Sequence, residues 1–411
     1  MKPLAIAALR LGALVAAAAL TIAVLPSAAQ AASAPNPCAF PTAPSATLEE
    51  TAWRLFVAAN CPANSGKVVW ENWVEQSQLY PAVSGATAQL SETLPRRLHG
   101  SPLAMVLAKK GRNARLTLVP SAECNAMNGP PKNVIAGATI CEEAHLNPEA
   151  AAFVTQAGYQ VRPGQTAAAQ KGVDIEFPKD AIEVKVDWVP ATDFAPAFTC
   201  AKPPPGVHVE SVDGVCYAMA GIHISSKLLT NWVWATFEPQ SMLTNPLRCI
   251  TFVPCHDRWG STPAVSSGGP TGFTHQTSAV HALMKQAGLA AEFFNYRLDG
   301  VQVNFTGPGG KPTYLGNSVI EGENVGMTHN TASCITCHSV SSIKTDGTDG
   351  ASLLSTATTV GPKYSLPAQF VARDFVWSMG LACPDAGLRA CPPAAHAQAA
   401  APKTPHPAQK G

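Results

Sequence analysis

The sequence predicts an α+β protein: a β-rich, mainly antiparallel sheet scaffold with a few helices, followed by a C-terminal segment of different character. Three observations lead there. Ile182, Val184, Val186 and Trp188 alternate with Glu183, Lys185 and Asp187, the period of a half-buried strand. Residues 216–224 and 231–238 read as two more strands, the second with Trp232 and Trp234 on one face. Helical spacing with start signals is confined to segments outside that region.

Taken in order, residues 32–46 are rich in Pro, Ala and Ser and read as an extended lead-in. Thr47 with Glu50 fits a capping box, and Leu48, Ala52, Trp53, Leu55, Phe56 and Ala59 then recur at helical spacing. Val69, Trp70, Trp73 and Val74 repeat that spacing more weakly, which would put Glu71 and Glu75 on one helical face. Such a carboxylate pair can do acid/base chemistry, although a solvated edge is its commoner use. Asn147 followed by Pro148 opens a helix to about residue 157. A helix over Ser278–Ala287, closed by Gly288, precedes a hairpin signal at Asp299-Gly300 between Tyr296, Leu298 and Val301, Val303, Phe305. Residues 392–411, rich in Pro and Ala, read as a disordered tail.

At the N-terminus, Lys2 and Arg10, an Ala-rich apolar run over residues 11–25 and Ala29-Gln30-Ala31 have the form of a secretory signal peptide cleaved after residue 31. The periplasm is the expected compartment. No later run is long and apolar enough to span a bilayer, so no membrane association is expected after cleavage. Removing residues 1–31 takes two basic residues and no acidic one from the 28 basic and 27 acidic in the chain, leaving 26 and 27, a net charge of −1. That balance offers no basic field for a phosphate backbone, and nucleic acid is not an expected partner.

Of the 12 cysteines, ten lie outside one compact motif and fall into neighbouring pairs. In an exported chain an even set argues for disulfides. The expected pairs are Cys38–Cys61, Cys124–Cys141, Cys200–Cys216, Cys249–Cys255 and Cys383–Cys391. A zinc site is not expected, because no second C-x-x-C exists and the thiols lie far apart in the chain.

The compact motif is Cys334-Ile335-Thr336-Cys337-His338. C-x-x-C-H is the attachment sequence of a covalent haem c: two thiols add across the haem vinyl groups and the adjacent imidazole ligates iron. Residues at i, i+3 and i+4 share one face of a helical turn, so Cys334, Cys337 and His338 can reach one porphyrin. The reading is one haem c, attached through Cys334 and Cys337, with His338 as proximal ligand, in a segment over residues 323–391 that follows a scaffold over 32–322.

The residue opposite His338 separates an electron carrier from an enzyme. Met379 leads, being a methionine downstream of the motif; its alternative is a packed core side chain. Met327 and His329 lie on a short upstream tether. His223, His256, His275 and His281 belong to the middle region, and each also fits ordinary packing or a surface loop. His396 and His406 fall in the tail. Trp232, Trp234 and Glu238 could line a haem pocket or belong to the sheet core.

The motif resembles that of c-type cytochromes. Beyond it, Gly221-Ile222-His223-Ile224, the run Trp232-Val233-Trp234-Ala235-Thr236-Phe237-Glu238, residues 333–338 and Asp374-Phe375-Val376-Trp377-Ser378 resemble a group of exported bacterial proteins of the cytochrome c family that has no assigned reaction. In that group a His often follows the Glu of the second segment, where this chain has Pro239. The resemblance implies haem and a similar architecture, and no substrate. The leading functional expectation is a periplasmic monohaem cytochrome that passes electrons to or from a redox protein or a small-molecule donor or acceptor. Alternatives are a haem-dependent oxidoreductase, such as a peroxidase or small-molecule oxidase with an open distal site, and a non-catalytic haem sensor.

Overall fold

The computed structural model describes residues 36–64, 66–80, 125–126, 134, 138–212, 214–239, 257–262, 275–324, 331–355 and 360–382. The protein is α+β, with a mainly antiparallel sheet. The expected signal peptide, the tail, Met327, His329, His256, His396 and His406 lie outside the described residues, as does the side chain of His275.

Helix α1 (Leu48–Ala59) starts where its cap requires, with the Thr47 side chain accepting from the Glu50 amide. Its buried face carries Trp53, Leu55, Phe56 and Val57. Strands β1 (Val74–Glu75), β2 (Thr139–Leu146), β3 (Ile182–Pro190), β4 (Val209–Val212), β5 (Val215–Ser226), β6 (Val233–Pro239) and β7 (Tyr296–Gln302) belong to the main sheet. The central order is β1–β2–β3–β5–β6–β7, with β4 paired to β5. Helix α2 (Pro148–Gln156) begins at the Asn147 cap, and α3 (Arg162–Gln170) follows it. Helix α4 (Ser278–Ala287) ends at Gly288, whose φ of 69° is the left-handed conformation that glycine adopts without steric cost.

The two faces of the sheet differ in chemistry. Ile182, Val184, Val186, Ile222, Ile224, Val233, Ala235 and Phe237 form the main apolar core with α1 and α4. Phe56 and Phe237 approach to 4.5 Å between ring centroids. Each large apolar side chain buried there contributes roughly 1.5–3 kcal/mol relative to exposure. Register places polar groups side by side on the other face: Lys185 opposite His223, His223 opposite Thr236, Arg297 opposite Glu238 and Gln302 opposite Trp234. An antiparallel sheet commonly leaves such a face to water. Here the segment from Leu315 onward covers it: Asn317 donates to Thr236 Oγ1 at 2.9 Å, and Ser318 bonds to Glu238.

Two local expectations are corrected. The spacing around Trp70 forms a short 3₁₀ turn, Trp70–Asn72, and then strand β1, so Glu71 and Glu75 share no helix. Asp299-Gly300 is not a hairpin turn: β7 runs through it, paired to β6 with a register shift between Leu298 and Gly300. Gly300 lets Leu315 pack closely instead, since a Cβ there would lie 3.1 Å from Leu315 Cδ1 and the leucine would have to give way by a few tenths of an ångström. The disulfides Cys38–Cys61 and Cys200–Cys216 are present as expected. Cys141 is disulfide-bonded to a partner outside the described residues, where the remaining expected pairs also fall.

Candidate functional site

Residues Cys334–His338 form a single helical turn, α5, so the two thiols and the imidazole share one short element. Ser333 caps it, and Cys337 N–H donates to Ser333 O at 2.9 Å. The turn sits on the polar sheet face through Gln302, at the end of β7. Its Oε1 accepts from Ile335 N–H at 2.9 Å and its Nε2 donates to Ser333 Oγ at 2.9 Å. The first N–H groups of a helix lack partners within it. Gln302 supplies one.

Cys334 and Cys337 are free thiols, each 7 % exposed, while the other described cysteines are disulfide-bonded. Burial pushes both thiols up, Cys337 to about 12; the Glu321 charge adds to the rise and Lys185 opposes it. They are held as protonated, unpaired sulfhydryls.

His338 is oriented by the backbone. Its Nδ1 lies 2.7 Å from Phe375 O, and a carbonyl only accepts, so Nδ1 carries the proton and Nε2 presents a lone pair. Tying one ring nitrogen to a carbonyl is the usual way a protein fixes a ligating imidazole and raises its basicity. Burial, then the charge of Lys185, lowers its pKa to about 3, so the ring stays neutral. Trp234 packs on it with ring centroids 4.6 Å apart. This donor set fits a covalently attached haem: two unpaired thiols and a neutral, oriented imidazole on one turn.

Backbone strain collects at the same place. Among the described residues, the non-glycine positions with positive φ are Trp232 (63°), Asp374 (48°) and Phe375 (71°). Phe375 supplies the carbonyl to His338, Asp374 accepts from Lys227 Nζ at 2.6 Å, and Trp232 lies 6.4 Å from Trp234 between ring centroids. Each such position costs on the order of 1–3 kcal/mol and persists only where the surroundings enforce it. Next to these residues, the two-stranded sheet of β8 (Ser342–Lys344) and β9 (Phe370–Ala372) and the buried Arg373, held by Gln165 Oε1 at 2.7 Å, fix the chain.

Met379 is fully buried, in one apolar cluster with Cys334, Ile335, Trp234 and Phe375. His223 lies 3.1 Å from Glu321 Oε1, and one donor atom from each of His223, Glu321 and Cys334 lies within 4.8 Å of the others. His281 packs beside Phe294 on α4, away from this cluster. Of the two candidate tryptophans, Trp234 touches His338, while Glu238 is taken up by Arg297 and Ser318. Sequence reasoning missed Gln302, Glu321 and Lys185. They come from distant parts of the chain, and no spacing marks them.

No protein-family model matches the chain, and neither a curated protein nor a solved structure does. Its function is therefore argued from the site.

Proposed function

We propose that this protein is an exported monohaem c-type cytochrome that transfers electrons, with haem bound through Cys334 and Cys337 and with His338 as proximal iron ligand. The observation that carries this reading is the pairing of two unoxidised, buried thiols with an imidazole whose Nδ1 is committed to the Phe375 carbonyl. When bound, the haem supplies a one-electron iron couple. Cys334 and Cys337 anchor it, the Phe375 carbonyl sets the plane and tautomer of His338, and Trp234 with Phe375 keeps water from the imidazole. Met379, buried in the same cluster, would be the second protein ligand to the iron. Disulfides in the scaffold agree with an oxidising compartment, the periplasm. The electron partner is a redox protein or a small-molecule donor or acceptor.

The test is expression in a bacterial host with working haem c maturation, followed by denaturation. The expected result is pigment that stays with the unfolded chain and a mass of the processed chain plus one haem. A colourless chain of bare processed mass overturns the proposal.

A further inference from the structure

We propose that His223, Glu321 and Cys334 form a zinc site in the haem-free chain. The inference does not rest on the haem reading, and it concerns the one sulfur the two ligands would share.

The three donors are gathered by the fold. His223 stands on β5 in the middle of the sheet. Glu321 is on the π-helical turn Ser318–Asn324, pinned to the sheet by Asn317. Asn317 N–H donates to Glu321 Oε2 at 2.5 Å, which leaves Oε1 facing His223 Nε2 at 3.1 Å. That contact turns the two donor atoms toward one another, and among the described residues Nε2 has no other polar partner. Cys334 enters from α5, with its Sγ 3.4 Å from Leu315 O.

Geometry and charge favour zinc over other cations. Tetrahedral zinc with bonds of about 2.0–2.3 Å to N, O and S sets its ligands roughly 3.3–3.6 Å apart. With all three donor atoms already within 4.8 Å, closure needs at most ~1.5 Å of movement, within reach of side-chain torsions. A thiolate, a carboxylate and a neutral imidazole around a divalent ion sum to zero charge, the form of a metal site that costs least to bury. Bound zinc deprotonates a coordinating thiol outright, overcoming the burial that holds Cys334 protonated. One thiolate and one imidazole select zinc against magnesium or calcium, which prefer all-oxygen sites. Three protein ligands leave a fourth position for water. Alkylation of Cys334 by a haem vinyl group removes the thiolate, so zinc and haem exclude one another at this sulfur.

The experiment uses the full exported chain, prepared with its disulfides but without haem, and titrated with Co²⁺ and then Zn²⁺. The expected result is a 1:1 cobalt complex with a thiolate-to-metal charge-transfer band, displaced by zinc, and a thermal midpoint raised by zinc. Cys334→Ala, His223→Gln and Glu321→Gln should each weaken zinc binding by more than the ~10–100-fold cost of losing an outer-shell partner, while Cys337→Ala keeps it. Haem-loaded protein should not bind zinc at this site. No 1:1 complex, binding that depends on Cys337 but not on His223, equal binding by haem-loaded protein, or a chain that lacks native near-ultraviolet dichroism with and without zinc would each overturn the proposal. Retained pigment is a separate observable, so failure of the haem reading cannot be mistaken for failure of this one.

Discussion

Replacing Gln302 by Leu tests whether the C-x-x-C-H turn is held in place by the sheet. Gln302 is 3 % exposed, and its amide makes every contact between β7 and the turn named above. The substitution preserves apolar volume but leaves the Ile335 N–H, a first-turn donor, without its acceptor at 2.9 Å. It also removes the bonds from Nε2 to Ser333 Oγ at 2.9 Å and to Thr313 Oγ1 at 2.8 Å. A buried orphan donor costs about 1–3 kcal/mol and each lost bond about 1 kcal/mol net. Ser333 keeps a partner in Thr336 Oγ1, at 2.9 Å, which lowers its share. The expected total is about 2–4 kcal/mol, with Tm falling by about 2–4 °C for each kcal/mol. Hydrogen exchange at the Ile335 amide should accelerate in step. Gln302→Glu keeps the acceptor and should recover the Ile335 protection without the other bonds. If Gln302→Leu leaves both Tm and Ile335 exchange unchanged, the anchoring role is wrong.

Three further outcomes follow from the same geometry. His208, just before β4, has Nε2 3.3 Å from Glu71 Oε1 and Nδ1 3.6 Å from Glu292 Oε1; burial alone would push it down, but these two carboxylates raise it from an ordinary 6.5 to about 9. A raised histidine contributes its full stability below pH 6.5 and loses it as pH climbs through about 9, here about 3 kcal/mol; Tm measured across that window should fall in the native chain and flatten in His208→Gln, and equal slopes would contradict the clamp. Met379→Leu should cost under ~1.5 kcal/mol while abolishing the charge-transfer band of Met-ligated haem, and an unchanged spectrum removes Met379 as a ligand. Replacing both Cys38 and Cys61 by Ser should cost about 3 kcal/mol by denaturant titration, because the bridge closes a loop of sequence separation 23; no change in midpoint would show that the loop is not a constraint on the unfolded chain.

Local patterns made part of this molecule legible. The Ile182–Trp188 alternation, the Thr47 and Asn147 caps and the C′ glycine at 288 each report structure decided within a few residues, and the two observed disulfides join cysteines that are neighbours in sequence order, 23 and 16 residues apart. The Asp299-Gly300 signal misled because the same dipeptide satisfies two demands. It makes a tight turn, and it also lets a neighbouring side chain, here Leu315, press against a strand that passes straight through. Thiols and imidazole were readable because one helical turn contains them. Their surroundings were not. Glu321 meets His223 only through strand register and the fold of the segment above the sheet, and the positive φ values at Asp374 and Phe375 fall on residues whose identity does not announce them. The polar row Glu183, Lys185, Asp187 was correctly placed on one face, yet alternation says only that the face is polar; whether water or another part of the chain covers it is decided by tertiary structure.

That covered polar face has a consequence for how the chain assembles. Trp234 stands on that face beside Gln302 and packs with Cys334, Ile335, Phe375 and Met379, so the later segment covers apolar as well as polar surface of the sheet. The thiol-bearing turn and the sheet therefore depend on one another: loosening the turn would bare Trp234, and cutting back Trp234 would loosen the turn.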